Sequence, residues 1–363
     1  MNSPVQLNAP SSAQLPPYCP SPPPQGMDAR AAAEWWSGLS AGEQQAYALY
    51  QPANLAKMDG LPAEVRHEAN LLGLREDAAN GHDRENAQAL LDRVEQSWSD
   101  PGTENIYLLG YEAPGRNGSP DAKVIASIGD PNSADNVAVY VPGTGTDLGN
   151  VGGSIDRMDD LRAQAEMIPG SGDTATIVWL GYDAPDNLLS ATQGSHAREG
   201  AADLRGFTEG LRESSTSPDA RTTVIGHSYG STVVGTADAL EGRGLAANDV
   251  IAMGSPGMGY EHESRRPGWG PFRVDGPLVD DVSDMHISEN HFWAGAASND
   301  PVTYTEVHGN SPVDWSFGGQ RITTDGASGH SEYWTPGTEA LRNQAYILTG
   351  NYDQVQTTGR RVG

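Results

Sequence analysis

The segment Thr223-Val224-Ile225-Gly226-His227-Ser228-Tyr229-Gly230-Ser231-Thr232 is a β-branched run that ends in G-x-S-x-G. Glycines two residues either side of the serine permit a tight strand-to-helix turn, which lifts the hydroxyl out of a sheet. The N-terminus of the helix that follows favours developing negative charge. Ser228 is therefore the candidate nucleophile. A serine hydroxyl is weakly nucleophilic alone and needs a base to take its proton and an acid to hold that base. Where a serine sits in such an elbow, acid and base follow it in the order Ser, Asp/Glu, His.

Downstream, the apolar run 291–297 leads into Ser298-Asn299-Asp300-Pro301. Asp300 thus falls at the carboxyl end of an expected strand, where ligands and catalytic groups gather in open α/β sheets, and is the expected acid. Asp314 and Asp325 are the substitutes. The chain beyond Asp300 holds His308 and His330 only. His330 lies in the loop sequence Gly326-Ala327-Ser328-Gly329-His330-Ser331, just before an expected last helix, and is the preferred base; His308 is read as a surface or supporting histidine. An oxyanion needs backbone donors, one from the residue after the serine and one from the loop after the third strand. Tyr229 supplies the first, and Thr144 or Gly143, in Val141-Pro142-Gly143-Thr144-Gly145-Thr146-Asp147, the second.

These residues need a sheet to position them. From Gly102 onward, apolar runs at 106–109, 124–128, 137–141, 176–180, 222–225, 250–253 and 291–297 alternate with helical patterns near 155–168, 197–211, 231–240 and 338–348. That alternation predicts an α/β sheet flanked by helices. The first three runs lack intervening helices, so they are expected to form an antiparallel edge before the sheet becomes parallel. Before them, 27–98 reads as three or four short helices, with capping-box spacing at Ser40 and Glu43, Pro62 at a first turn, and an apolar stripe of Ala87, Leu90, Leu91 and Val94. Trp36-Ser37-Gly38 is placed in a turn between two helices, the Trp packing the corner. Domains are expected at 1–26 (Pro-rich disordered tail), 27–100 (helical region), 101–352 (sheet domain) and 353–363 (flexible tail). The connection 257–290, rich in Gly, Pro and charge, is a long insertion that reads either as a lid or as a surface excursion, and Arg265-Arg266 within it is read as solvated Arg paired to nearby Glu.

Composition excludes several functions. The 363 residues carry 22 Lys and Arg against 48 Asp and Glu, a net charge of −26, which is unsuited to nucleic acid or to an anionic membrane surface. One Cys, Cys19, allows neither an intrachain disulfide nor a Cys-based zinc site. His286 to His291 lacks the H-E-x-x-H spacing, so no metal is expected. The glycines at 143–149 do not match a dinucleotide loop, and no organic cofactor is expected either. No run approaches a membrane span, and no signal peptide is evident, so the chain is placed in the cytoplasm or on an export route without an N-terminal signal.

The strings VPGTGTDLGN, WLGYDAP, GHSYGSTVVG, GSPG, WAGAASNDPV and GHSEYW resemble the α/β-hydrolase superfamily. More closely, they resemble an actinobacterial family catalogued as domain of unknown function 1023. The similarity runs from about 105 to 350, with WWSGLS and DGLPAEVRHEAN resembling its helical lead-in. This resemblance implies an α/β-hydrolase three-layer sandwich, with a mostly parallel sheet, antiparallel first strands and a small helical segment in front. It also implies Ser228, Asp300 and His330 as a triad, and no particular substrate. Expected, then, is a serine hydrolase that cleaves a carboxylic ester or related acyl compound, small or lipid-like, through an acyl-enzyme on Ser228. The rival expectation is a non-catalytic interaction protein on the same scaffold, with a protein partner docking through 1–98.

Overall fold

The computed structural model describes residues 19–115, 120–259 and 279–358. Residues 1–18 of the Pro-rich tail, Arg265-Arg266 with much of the 257–290 connection, and the C-terminal end from residue 359 lie outside them. The chain opens with α1 (Ala29–Gly38), α2 (Ala41–Tyr50), the single-turn α3 (Pro52–Leu55), α4 (Ala63–Asn80) and α5 (Arg84–Ser99). Five helices thus stand where three or four were expected. The Ser40–Glu43 capping box forms reciprocally at the start of α2, satisfying two otherwise orphaned N–H groups. Trp36-Ser37-Gly38 is the last turn of α1 rather than a loop, because Leu39 N–H closes that turn on Trp36 O at 3.2 Å.

Strands and helices then alternate: β1 (Ile106–Glu112), β2 (Lys123–Ile128), β3 (Asn136–Val141), α6 (Val151–Glu166), β4 (Thr174–Leu180), α7 (Ser195–Ser214), β5 (Arg221–His227), α8 (Tyr229–Ala239), β6 (Asp249–Met253), β7 (Phe292–Gly295), β8 (Gln320–Arg321) and α9 (Glu339–Leu348). The sheet order is β1-β2-β4-β3-β5-β6-β7-β8. β2 runs antiparallel to both its neighbours, β1 and β4; along the sheet from β4 to β8 every pairing among the described residues is parallel. The expected antiparallel edge is present, but its third strand is β4 rather than β3. The chain does reverse at each of the first two connections, but β3 skips a place, and α6 carries the chain back to insert β4 between β2 and β3.

Side chains alternate across this sheet with period two. Ala138, Tyr140, Val178, Ile225, Ile251 and Met253 face α4, α5, α6 and α9, whereas Val137, Val139, Ile177, Val224 and Val250 face α7 and α8. Three layers result. α4 and α5 share the sheet's own core, while a smaller cluster around Trp36, Leu55 and Leu61 packs the earliest helices.

α4 and α5 also deal with the β1 edge, whose free backbone groups would otherwise invite pairing with another chain. His67 Nδ1 accepts from Leu108 N–H at 2.9 Å, Asn70 Oδ1 from Tyr111 N–H at 2.8 Å and Ser97 Oγ from Ile106 N–H at 2.9 Å. Burial depresses His67 to about 4, as does, less strongly, the Arg75 charge; its ring is thus neutral at pH 7 and free to accept. At the opposite edge the pairing of β8 is extended by a bridge from Ile322 to Thr357. No helix among the described residues is long and apolar enough to cross a membrane.

Candidate active site

Parallel register brings the carboxyl ends of the central strands level. Val141 of β3 pairs with Gly226 of β5, and His227 of β5 pairs with Met253 of β6, which in turn faces Gly295 of β7. The loops leaving these strands therefore meet at one end of the sheet. At that point the chain turns from β5 into α8 through Ser228, whose φ of 54° and ψ of −130° are strained for a residue with a Cβ. The flanking glycines are steric necessities: a Cβ on Gly230 would lie 2.0 Å from Val141 O, and one on Gly226 would lie 2.4 Å from Ser231 Cα. Ser228 N–H donates to Met253 O at 3.0 Å, which ties the elbow to β6.

Asp300 and His330 come together. His330 Nδ1 lies 2.8 Å from Asp300 Oδ2, and the carboxylate, which is fully buried, also accepts from Tyr333 O–H at 2.5 Å and Val302 N–H at 2.9 Å. Burial alone would raise the Asp300 pKa, but the hydrogen bonds from His330, Tyr333 and Val302 N–H outweigh it and hold the carboxyl below its usual range. An ionised acceptor there assigns the ring proton of His330 to Nδ1, so Nε2 presents its lone pair. Nε2 is buried and has no hydrogen-bond partner among the described residues, Ser228 Oγ included. Gly254 stands between the two halves of the site. It follows the Met253 that binds Ser228 N–H, and a Cβ on it would lie 2.7 Å from Asp300 Oδ2 and 3.1 Å from His330 Cε1. The loops bearing acid and base are joined further where Gly329 N–H donates to Asn299 Oδ1 at 2.8 Å.

The loop after β3 lies against the serine. A Cβ on Gly143 would be 2.7 Å from Ser228 Cβ, 2.8 Å from His227 O and 3.0 Å from Tyr229 N. Tyr182 O–H pins the same loop by donating to Pro142 O at 2.7 Å, and Gly145 N–H is taken by Pro185 O at 2.8 Å. Gly143→Ala is accordingly expected to push this backbone off the elbow. It should lower kcat on an activated ester by about 10²-fold or more, the scale of one lost oxyanion donor. Turnover of a p-nitrophenyl ester beside a thermal melt checks this, since the folded state should persist.

The substitutes are not at the site: Asp314 and Asp325 are exposed, and neither meets His330. His308 is buried rather than on the surface. Its Nε2 lies 2.5 Å from Ala191 O, and burial lowers it to about 4, whereas the Ala191 hydrogen bond works the other way. Three further residues belong to this centre. Tyr333 holds Asp300, His227 stands against His330, and Tyr140 stands behind His227. His227 sat in plain view as the first variable residue of the motif, whereas nothing local marked either tyrosine. Among the described residues no cluster of three or more His, Cys, Asp or Glu could hold a metal ion.

Residues 117–267 match a family model described as "Alpha/beta hydrolase". The match takes in the Ser228 elbow and the Gly143 loop and ends before Asp300 and His330. An uncharacterized Mycobacterium tuberculosis protein, Rv2079, is 27% identical over 421 residues, covering 97% of this chain and 60% of that protein. A second from that organism, Rv0963c, is 35% identical over 174 residues, covering 46% of this chain and 62% of the other. The chain thus spans about three fifths of the length of these curated relatives. Among solved structures, esterase LipW from Mycobacterium marinum is 14% identical, with a TM-score of 0.43 over 88% of this chain and 98% of that one. The sheet order and the family match together support the α/β-hydrolase superfamily, and the fold is its three-layer sandwich, with a helical segment before the sheet.

Proposed function

We propose, on this α/β-hydrolase scaffold, that the chain is a serine hydrolase that cleaves a small carboxylic ester or a related acyl compound. The observation that carries the reading is Ser228 itself, a serine held at φ 54° on the turn from β5 into α8, where a relaxed backbone would serve any purely structural role. In this reading His330 Nε2 takes the Ser228 proton while Oγ bonds to the acyl carbon. The resulting oxyanion is met by Tyr229 N–H and by an N–H of the Gly143–Thr144 segment. The imidazolium then protonates the departing alcohol, and water repeats the sequence to release the acid. Asp300 fixes the ring and stabilises its positive charge. The resemblance to the actinobacterial family catalogued as domain of unknown function 1023 fits this assignment and leaves the acyl group open.

Labelling with a fluorophosphonate, followed by mapping of the adduct, tests the proposal. One adduct on Ser228, with turnover across p-nitrophenyl esters of graded chain length, is the expected result. A folded protein that takes no label, or takes it elsewhere, overturns the assignment.

A further inference from the structure

We propose that His227, the residue before the serine, is a positioning residue that fixes the main chain carrying His330. The inference rests on the reading of Ser228 and His330 given above and deepens it.

His227 Nε2 lies 2.7 Å from the carbonyl oxygen of His330, and the two rings are 4.8 Å apart at 32°. A carbonyl can only accept, so Nε2 carries the proton and donates. Nδ1 is then the acceptor, and the hydroxyl of Tyr140 stands 3.3 Å from it. Tyr140 in turn accepts from Arg157 Nη1 at 3.3 Å, which directs its own proton towards His227. The chain of donors therefore selects one tautomer, the one that can reach His330. Trp334 and Tyr333 close around the ring edge-on, with centroids 5.1 and 6.0 Å away. Burial first, and then the neighbouring His330 charge, depress His227 to about 3, so it stays neutral while His330 takes up a proton. The other charged groups felt there are Arg157, which disfavours a second positive charge, and Asp300, which favours it.

The need for such an anchor follows from the segment that bears His330. It belongs to no helix or strand, and Gly326 and Gly329 within it have φ of 88° and 64°. Asp300 holds the ring by one nitrogen, and a ring held at a single nitrogen can pivot about that bond. Asn299 restrains the amide of Gly329 on one side of the residue, and His227 restrains the carbonyl of His330 on the other. Together they settle where the unpartnered Nε2 points.

Three variants separate positioning from simple packing. His227→Gln places a side-chain N–H near the level of Nε2, where it can still reach the His330 carbonyl. His227→Asn places its donor at the level of Nδ1, too short to reach. Tyr140→Phe leaves the ring in place but removes the hydroxyl that selects its tautomer. The expected result is a kcat about 10²-fold lower in His227→Asn, the scale of a misplaced catalytic group, with KM little changed and fluorophosphonate labelling slowed in parallel. His227→Gln should recover most of that loss, and Tyr140→Phe should fall between the two.

Melting curves report whether each variant folds, and should one of the His227 variants fail to fold, the other and Tyr140→Phe still decide the matter. Equal impairment of His227→Gln and His227→Asn, or wild-type kcat in a folded His227→Asn or Tyr140→Phe, overturns the proposal while leaving the hydrolase reading intact. A folded wild type that neither labels nor turns over an ester removes the hydrolase reading, and this inference with it.

Discussion

Ser228→Ala is expected to lower kcat by about 10⁶-fold, and Asp300→Asn by about 10⁴-fold, with KM little altered in either. The first loss is that of the attacking oxygen. Alanine is close to serine in volume at the elbow, so the fold should survive and a residual rate from the oxyanion donors should remain. The second loss comes from proton bookkeeping rather than shape. Asp300 Oδ1 accepts from Val302 N–H at 2.9 Å and lies 3.0 Å from His330 Nδ1, whereas Oδ2, the nearer oxygen to that nitrogen at 2.8 Å, also accepts from Tyr333 O–H at 2.5 Å. A carboxamide has one oxygen, and the backbone N–H, which cannot move, claims it. The amide nitrogen is then left facing His330 Nδ1 and donates to it. His330 must shift its proton to Nε2, the atom that should be taking one from Ser228. Kinetics on a p-nitrophenyl ester check both numbers, with melting curves to establish folding. An Asp300→Asn variant within tenfold of wild type would remove Asp300 from the proposed mechanism.

What could be read from the sequence was what is local. G-x-S-x-G after a β-branched run specifies its turn within a few residues, and the φ of Ser228 follows from it. Asp300 was legible because it falls at the carboxyl end of an apolar run, and His330 because few histidines remained downstream. The order of the strands was not legible, since β4 enters between β2 and β3 through a crossover that leaves no trace in periodicity. Nor was β8, two polar residues that become a strand only by pairing with β7. The polar residues His67, Asn70 and Ser97 read as ordinary helix positions until β1 is laid beside them, and only then do their acceptor atoms meet its backbone. Tyr140 and Tyr333 were hidden for the same reason, because a hydrogen bond across many residues has no signature in either partner's neighbourhood.

The other large effect is expected at the far end of the sheet, where Asp249→Ala should cost about 3–5 kcal/mol of stability, the scale of breaking a buried ion pair from one side. Asp249 begins β6, four residues before the Met253 that meets the elbow, and is fully buried. Its Oδ2 accepts from Arg221 Nη2 at 3.0 Å and from Tyr352 O–H at 2.7 Å, and its Oδ1 from Trp293 Nε1 and His291 Nδ1, each at 3.0 Å. Arg221 also hydrogen-bonds Tyr352. One carboxylate therefore joins β5, β6 and β7 to the turn after α9. Alanine would leave the buried indole N–H of Trp293 with no acceptor and its desolvation cost unmet, and would leave the half-buried Arg221 charge with the Tyr352 hydroxyl in place of a carboxylate. Tyr352→Phe removes one donor and leaves the carboxylate with the others, so it should cost only about 1 kcal/mol. Urea unfolding of the three proteins ranks them, and ester turnover should stay near wild type wherever the protein is folded, because the change lies at the opposite end of the strands from Ser228. Were Asp249→Ala as stable as wild type, the cluster's attraction would do no more than offset the desolvation of its own charges, and the hold on β5 to β7 would have to come from the apolar layers alone.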